Sequence, residues 1–346
     1  MSKRHFASAI VAAIAALSVS GSALAADTVT VSTYGGAWAK ALSEAELQPI
    51  AKEMGITIKE VTVNSLNEVK VQVDANAVEI DVADLGAQDC ELGAAQNLWE
   101  PLDYKVIDAS GVDQKLVKPM WVGGPSYYST VLAWSTEKYG DNPPQNWADF
   151  WNVEKFPGNR GLYNSPYANL EAALLADGVK PDQLYPLDIE RAFKKLREIK
   201  PHITVWWTNG GQSAQLLNDG EVDMLSIWNG RASTVIKAGA KAALTFNEGL
   251  LGVDCLVIPR GSKNKDLAMK VIDRILSAEL QANLPALIDY GPVNMKAFDT
   301  GKITPELATA TNSSPENFKK QVTLDDVWWG ENLPKIQPMW DAFIQE

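Results

Sequence analysis

Arg231 and Asp254 are the side chains of this sequence whose type and setting promise chemistry. Arg231 lies in the stretch EVDMLSIWNGRAS at residues 221–233, where Val222, Met224 and Ser226 alternate as in a buried strand that ends at Trp228. Open α/β sheets bind ligands at the carboxyl ends of their strands, so residues 228–233 are expected to line a crevice. Gly230 admits close backbone approach, and the guanidinium of Arg231 offers a planar fork of donors suited to a carboxylate. Asp254 lies in the run GVDCLVIP, which is so apolar that an unpaired carboxylate would be costly. It needs a cation, which is Arg231, a lysine or a bound ammonium group.

The elements that must position these residues follow from periodicity. Residues 29–33 alternate as a strand, and Tyr34-Gly35-Gly36-Ala37-Trp38 is a glycine turn opening a helix to about residue 54. Strands at 56–63 and 79–85 flank a helix at 65–76, giving a β-α-β-α-β series. Such a series predicts an α/β fold with a parallel sheet covered on both faces. The turn at Gly36 lacks the third glycine of a dinucleotide fingerprint and the lysine of a phosphate loop. Its free N–H groups face the cleft, and Tyr34 and Trp38 beside it line a pocket or pack the turn.

Further on, a strand within 122–139 leads out of the first lobe and NPPQNW at 142–147 reads as a linker. A strand at 160–163 is followed by Asn164 and Ser165 as a helix cap with Pro166 at the first helical position, a place for an anion or a carbonyl. A strand at 203–207 ends at Trp207, between helices at 187–199 and 212–219. Residues 243–246 read as a strand, Asn247-Glu248-Gly249 as a turn, and 252–259 as another strand.

The chain has 346 residues, with 43 acidic and 31 basic side chains and a net charge of −12. That balance and the lack of a long basic run disfavour nucleic acid and anionic lipid as partners. Lys3, Arg4, an apolar run at 7–17 and Ser22-Ala23-Leu24-Ala25 form a signal-peptide pattern cleaved near Ala25, which predicts export to the periplasm. No later run is long enough to span a membrane. The remaining length exceeds what one core usually serves, which argues for two lobes. Cys90 and Cys255 pair as a disulfide or remain two buried thiols. His5 lies in the leader and His202 stands alone, so neither a hydrolytic triad nor metal-ligand spacing is present, and no cofactor or metal is expected.

The ordered segments TYGGAW, NPPQNWADFW, FPGNRGLY, DGEVDMLSIWNGRA, GVDCLVIPRGSKNKDLAMKVIDRIL and YGPVN closely resemble the spermidine/putrescine-type solute-binding proteins of ABC importers. The resemblance implies a type II periplasmic binding fold, two α/β lobes joined by a hinge with a ligand cleft between them. The expected division is residues 26–132 with 252–302, and residues 133–251 with 303–346. By the same resemblance Trp228 packs on the ligand, Asp254 binds an amine, and Tyr290 and the aromatics Tyr34 or Trp38 line the cleft. Gly36, Ser165 and Trp207 complete the expected set. Permease subunits are the implied partners, and the protein is expected to be a monomer.

Departures from that family pattern carry the specificity. Ser165 and Ala168 stand where polyamine receptors carry an aspartate and a glutamate, and Gly252 replaces a tryptophan of the alkyl-chain sandwich. Arg231 is added, and a dication beside it would be penalised. A short zwitterion answers both changes, with its ammonium on Asp254 and its carboxylate on Arg231. The branch resembles receptors for 4-aminobutyrate (GABA), the first choice of ligand. Polyamines, betaines and aminophosphonates are the alternatives within the family. A sugar receptor built on tryptophan platforms, and a ferric receptor built on Tyr127-Tyr128, are weaker readings.

Overall fold

The computed structural model describes residues 27–63 and 65–346, so the leader and its cut near Ala25 lie outside the described residues. The strands are β1 (Thr28–Thr33), β2 (Thr57–Thr62), β3 (Val82–Gly86), β4 (Val122–Ser135), β5 (Arg160–Tyr163), β6 (Ile203–Trp207), β7 (Met224–Trp228), β8 (Ala242–Val257), β9 (Gly291–Pro292) and β10 (Val322–Thr323). They hydrogen-bond in the order β2-β1-β3-β8-β4-β7-β5-β6, with β10 on β8 and β9 on β4. β1 is parallel to β2 and β3, as the alternating β-α pattern predicts. β8 runs antiparallel to β3 and β4.

β4 and β8 join the two lobes. On β4 the core membership changes between Tyr127, in the first core, and Val131 and Leu132, which enter two separate cores on either side of the second lobe's sheet. On β8 it changes between Leu250 and Leu251. A paired crossing of this kind bends where its ladder is irregular, and register shifts fall between Gly123 and Tyr127 and between Thr130 and Leu132. The second shift corrects a sequence expectation. Asn247, Glu248 and Gly249 do not end a strand; they lie within the continuous β8, where Glu248 adopts φ 53. Turn-forming residues here make a bulge because β4 continues to pair on both sides of them.

The second lobe shows how its helices are fixed. The helix Ile189–Ile199 buries Ala192, Phe193, Leu196 and Ile199, a single stripe at helical spacing, and Asp188 caps it by accepting from the Arg191 N–H. The helix after β5 starts at Asn169, not at Pro166, and the caps expected at Asn164 and Ser165 do not form. Ala168, at φ 69, cannot extend the helix backwards, and the Asn169 side chain instead donates to the Tyr163 and Ser165 carbonyls at 2.6 and 2.8 Å. The helix Asp326–Gln345 buries Trp329, Ile336, Trp340 and Phe343 in the second core. It meets the first lobe at Gly330, where a Cβ would come within 2.5 Å of Glu91 Cβ on the helix Ala87–Ala95.

Candidate functional site

Local sequence places the two charged residues. β7 ends at Trp228 and the helix Asn229–Lys237 begins at once, so the Asn-Gly pair opens the first turn of a helix. Asn229 is buried because its side chain ties two distant segments. It accepts from the Ser129 N–H at 2.9 Å and donates to the Asp289 carbonyl at 2.7 Å. That anchor brings the next residue, Tyr290, over Gly230, where a Cβ would lie 2.6 Å from the tyrosine ring. Gly230 is therefore required by a ring, not by a turn.

Arg231 leaves this helix toward the first lobe. Its Nη2 donates to the Gly35 carbonyl at 3.2 Å, and a Cβ on Gly36 would lie 3.1 Å from its Nη1. Gly36 is at φ 60, a backbone region costly for a side chain, so it is suited to this position on both counts. The guanidinium is 5% exposed, forms no salt bridge among the described residues, and leaves Nε without a partner. A buried unsatisfied donor costs about 1–3 kcal/mol, which a ligand acceptor would relieve.

Asp254, 6% exposed, also lacks a counter-ion among the described residues; its side chain accepts only from the Ser126 hydroxyl, at 3.3 Å. Burial pushes its carboxyl well above the usual range, and the nearby Asp84 carboxylate adds to the rise, while Ser126 and, more weakly, Arg231 oppose it. Asp84 accepts from the Trp38 indole N–H at 2.9 Å and is itself raised to about 8 by burial. Glu46 behind it is fully buried, with neither carboxylate oxygen partnered. The ammonium end of the site is thus backed by carboxyls held neutral by desolvation.

Both charged residues face a cavity of about 220 Å³. Of the residues expected from the sequence, Tyr34, Trp38, Ser165, Trp228, Arg231, Asp254 and Tyr290 line it. Gly36 lies behind, beneath the guanidinium. Trp207 is not in the wall. It is fully buried, stacks on Tyr163 at 4.4 Å and meets Trp228 edge-on at 5.2 Å, so it braces the wall from behind.

The sequence reading missed several wall residues. Tyr128 pairs with Gly252 across β4 and β8, and its ring occupies the space a side chain there would take, 2.6 Å from a Cβ. The wall expected to be lost at Gly252 is thus supplied by Tyr128. Tyr163 and Tyr167 add rings, and the Tyr167 hydroxyl donates to Asp326 at 2.8 Å. Gln88 and Asp89 come from the helix after β3, and Leu333 and Gln337 from the last helix. No local pattern marks the last two as site residues.

Cys90 and Cys255 are disulfide-bonded, with Cα atoms 6.6 Å apart, tying the helix Ala87–Ala95 to β8 directly beside Asp254. An aromatic enclosure with an unpaired guanidinium and an unpaired carboxyl can capture a small charged molecule. Neither group is placed beside a nucleophile and base pair of the kind hydrolysis needs.

A family model described as a bacterial extracellular solute-binding protein matches residues 23–311. A gamma-aminobutyric acid-binding protein of Pseudomonas aeruginosa is 32% identical over 329 residues, which cover 91% of this chain and 90% of that protein. An ABC transporter substrate-binding protein from Bradyrhizobium japonicum USDA 110 superposes with a TM-score of 0.88 at 46% identity, over 92% of this chain and 99% of that one. The Atu4243-GABA receptor superposes with a TM-score of 0.83 at 35% identity, over 92% of this chain and 97% of that one. No helix among the described residues is long and apolar enough to cross a membrane. The likeness spans nearly the whole chain and is to substrate-binding proteins, not to enzymes. The chain therefore belongs to the bacterial extracellular solute-binding protein family and is the solute-binding protein of an ABC transporter.

Proposed function

We propose that this protein is a periplasmic receptor that captures a small zwitterionic ω-amino acid, 4-aminobutyrate first, between its lobes and delivers it to the permease of an ABC importer. One observation carries the reading: Arg231 and Asp254 line one cavity without pairing to each other or to any other ion among the described residues. The carboxylate of the ligand takes the guanidinium and its ammonium takes Asp254, while Trp38, Tyr128 and Trp228 cover the methylenes. The GABA-binding relative and the GABA receptor neighbour support the same ligand class.

A seven-atom ligand is limited to about 10 kcal/mol of binding energy, a dissociation constant of tens of nanomolar at best. Export through the leader at residues 1–25, a monomeric state, and the lobe division at 132/133, 251/252 and 302/303 belong to the same proposal. Calorimetry on the purified protein with 4-aminobutyrate, putrescine, glycine betaine, 2-aminoethylphosphonate and glucose tests it. Saturable binding of 4-aminobutyrate is expected; a stronger response to putrescine or to glucose overturns the ligand assignment.

A further inference from the structure

Asp89 faces the same cavity as Arg231 and Asp254. It lies in the first turn of the helix Ala87–Ala95, where an acid is welcome for the sake of the helix dipole alone. Yet its side chain does not cap that helix and makes no hydrogen bond or ion pair among the described residues. Burial raises the phenols of two wall tyrosines, Tyr34 from the first lobe and Tyr163 from the second, and the charge of Asp89 adds to the rise of each. Asp89 thus shares one cavity with tyrosines from both lobes.

The wall offers more acidic groups than a plain ω-amino acid can engage. One guanidinium faces two carboxyls, Asp89 and Asp254, and a ligand with one carboxylate and one ammonium leaves the second carboxyl without a partner. Asp89 precedes Cys90 and Asp254 precedes Cys255, so the Cys90–Cys255 disulfide holds together the two backbone segments that carry these carboxyls. The cavity has room for more than the smallest zwitterion: about 220 Å³ is the share of roughly seven liquid waters.

We propose that Asp89 is a specificity-determining residue that takes a second ammonium group, so that the preferred ligand is a short diamino monocarboxylate. This rests on the assignment of Arg231 to a carboxylate and Asp254 to the ω-ammonium, and narrows it. Burial raises the Asp89 carboxyl to about 7, so a bound cation suffices to ionise it near neutral pH.

The test is a matched pair of ligands, 4-aminobutyrate and 2,4-diaminobutyrate, which differ by one α-ammonium group. Both are titrated by calorimetry at pH 8 into the full-length exported protein and its Asp89→Asn and Arg231→Ala variants, with thermal melts confirming the fold of each. The protein is expected to bind the diamino acid at least about tenfold more tightly. Asp89→Asn is expected to bring the ratio near one, because the diamino acid alone loses a charged partner. Equal or tighter binding of 4-aminobutyrate, or an unchanged ratio in Asp89→Asn, overturns the proposal and leaves the ω-amino acid reading intact. Binding of both ligands unaffected by Arg231→Ala overturns that reading, and this proposal with it.

Discussion

The guanidinium of Arg231 donates to the carbonyl of Gly35 at 3.2 Å, joining a helix of the second lobe to the glycine turn of the first. The residue assigned to the ligand carboxylate is therefore also a strut between lobes. Its position in the cleft depends on glycines that leave it room on either side, Gly36 and Gly210; a Cβ at Gly210 would lie 2.7 Å from Nε. The side chain that faces the cavity thus also carries a contact between the two lobes.

Arg231→Ala is expected to weaken binding of a carboxylate ligand by about 2–4 kcal/mol, roughly 30- to 1,000-fold. Arg231→Lys restores the charge without the fork and is expected to recover only part of it. Calorimetry with 4-aminobutyrate measures both. A lysine variant as tight as the parent would mean that the fork geometry at this position is irrelevant.

Gly230→Ala places a methyl group against the Tyr290 ring, which sits 2.6 Å from that position. The ring must move, or the first turn of the Asn229–Lys237 helix must. A loss of about 1–3 kcal/mol in stability is expected, as for other overpacked sites, together with weaker binding, since Tyr290 lines the cavity. Denaturant unfolding and calorimetry on the same sample check the two effects. A variant as stable and as tight as the parent would show that the ring is not held there.

Acidity is expected to act on stability and on binding in opposite directions. Burial holds Asp84 at about 8 and Asp89 at about 7, and raises Glu46 and Asp254 well above ordinary carboxyls. Each of these groups keeps its proton in the folded chain at pH values where the unfolded chain has lost it. The stability they contribute is full below about pH 4, the unfolded value, and is lost as pH rises through the folded values toward 8. Thermal melts of the ligand-free protein from pH 5 to 8 should therefore show a falling transition temperature. An ammonium ligand needs Asp254 ionised, so its affinity should rise over the same range, by up to about tenfold per unit for one proton released. Binding enthalpies that do not vary with the ionisation enthalpy of the buffer would exclude that proton release.

Reducing the Cys90–Cys255 bond opens a loop spanning 165 positions and is expected to cost about 2–5 kcal/mol of stability. Affinity should fall as well, because the bond holds the strand segment that carries Asp254. A double Cys90→Ala, Cys255→Ala variant, compared with the oxidised parent by melting and calorimetry, separates the two losses. If affinity survives unchanged, Asp254 is held by the β3–β8 ladder alone, in which it pairs with Gly86.

Much of the site was legible in the order of residues along the chain. Alternation and glycine turns located β1 with the start of the helix after it, β7 and the two ends of β8, and an aspartate in an apolar run announced its need for a partner. Arg231, Asp254, Trp228, Tyr34, Trp38, Ser165 and Tyr290 all reach one cavity because each stands at or near a strand end on the same edge of the fold. Periodicity determines such positions because the hydrogen bonds that set it connect near neighbours.

What local pattern could not decide was which distant surfaces would face one another. Tyr128 fills the place left by Gly252 only because β4 and β8 pair in that register, and Asn247-Glu248-Gly249 bulges rather than turns for the same reason. Trp207 fell behind the wall, while Asp89, Leu333 and Gln337 joined it, once sheet order and the crossing of the last helix were set. These contacts join residues tens to hundreds of positions apart, and their geometry comes from packing two cores against each other. A sequence states which side chains want to be buried or paired; only the folded chain settles with whom.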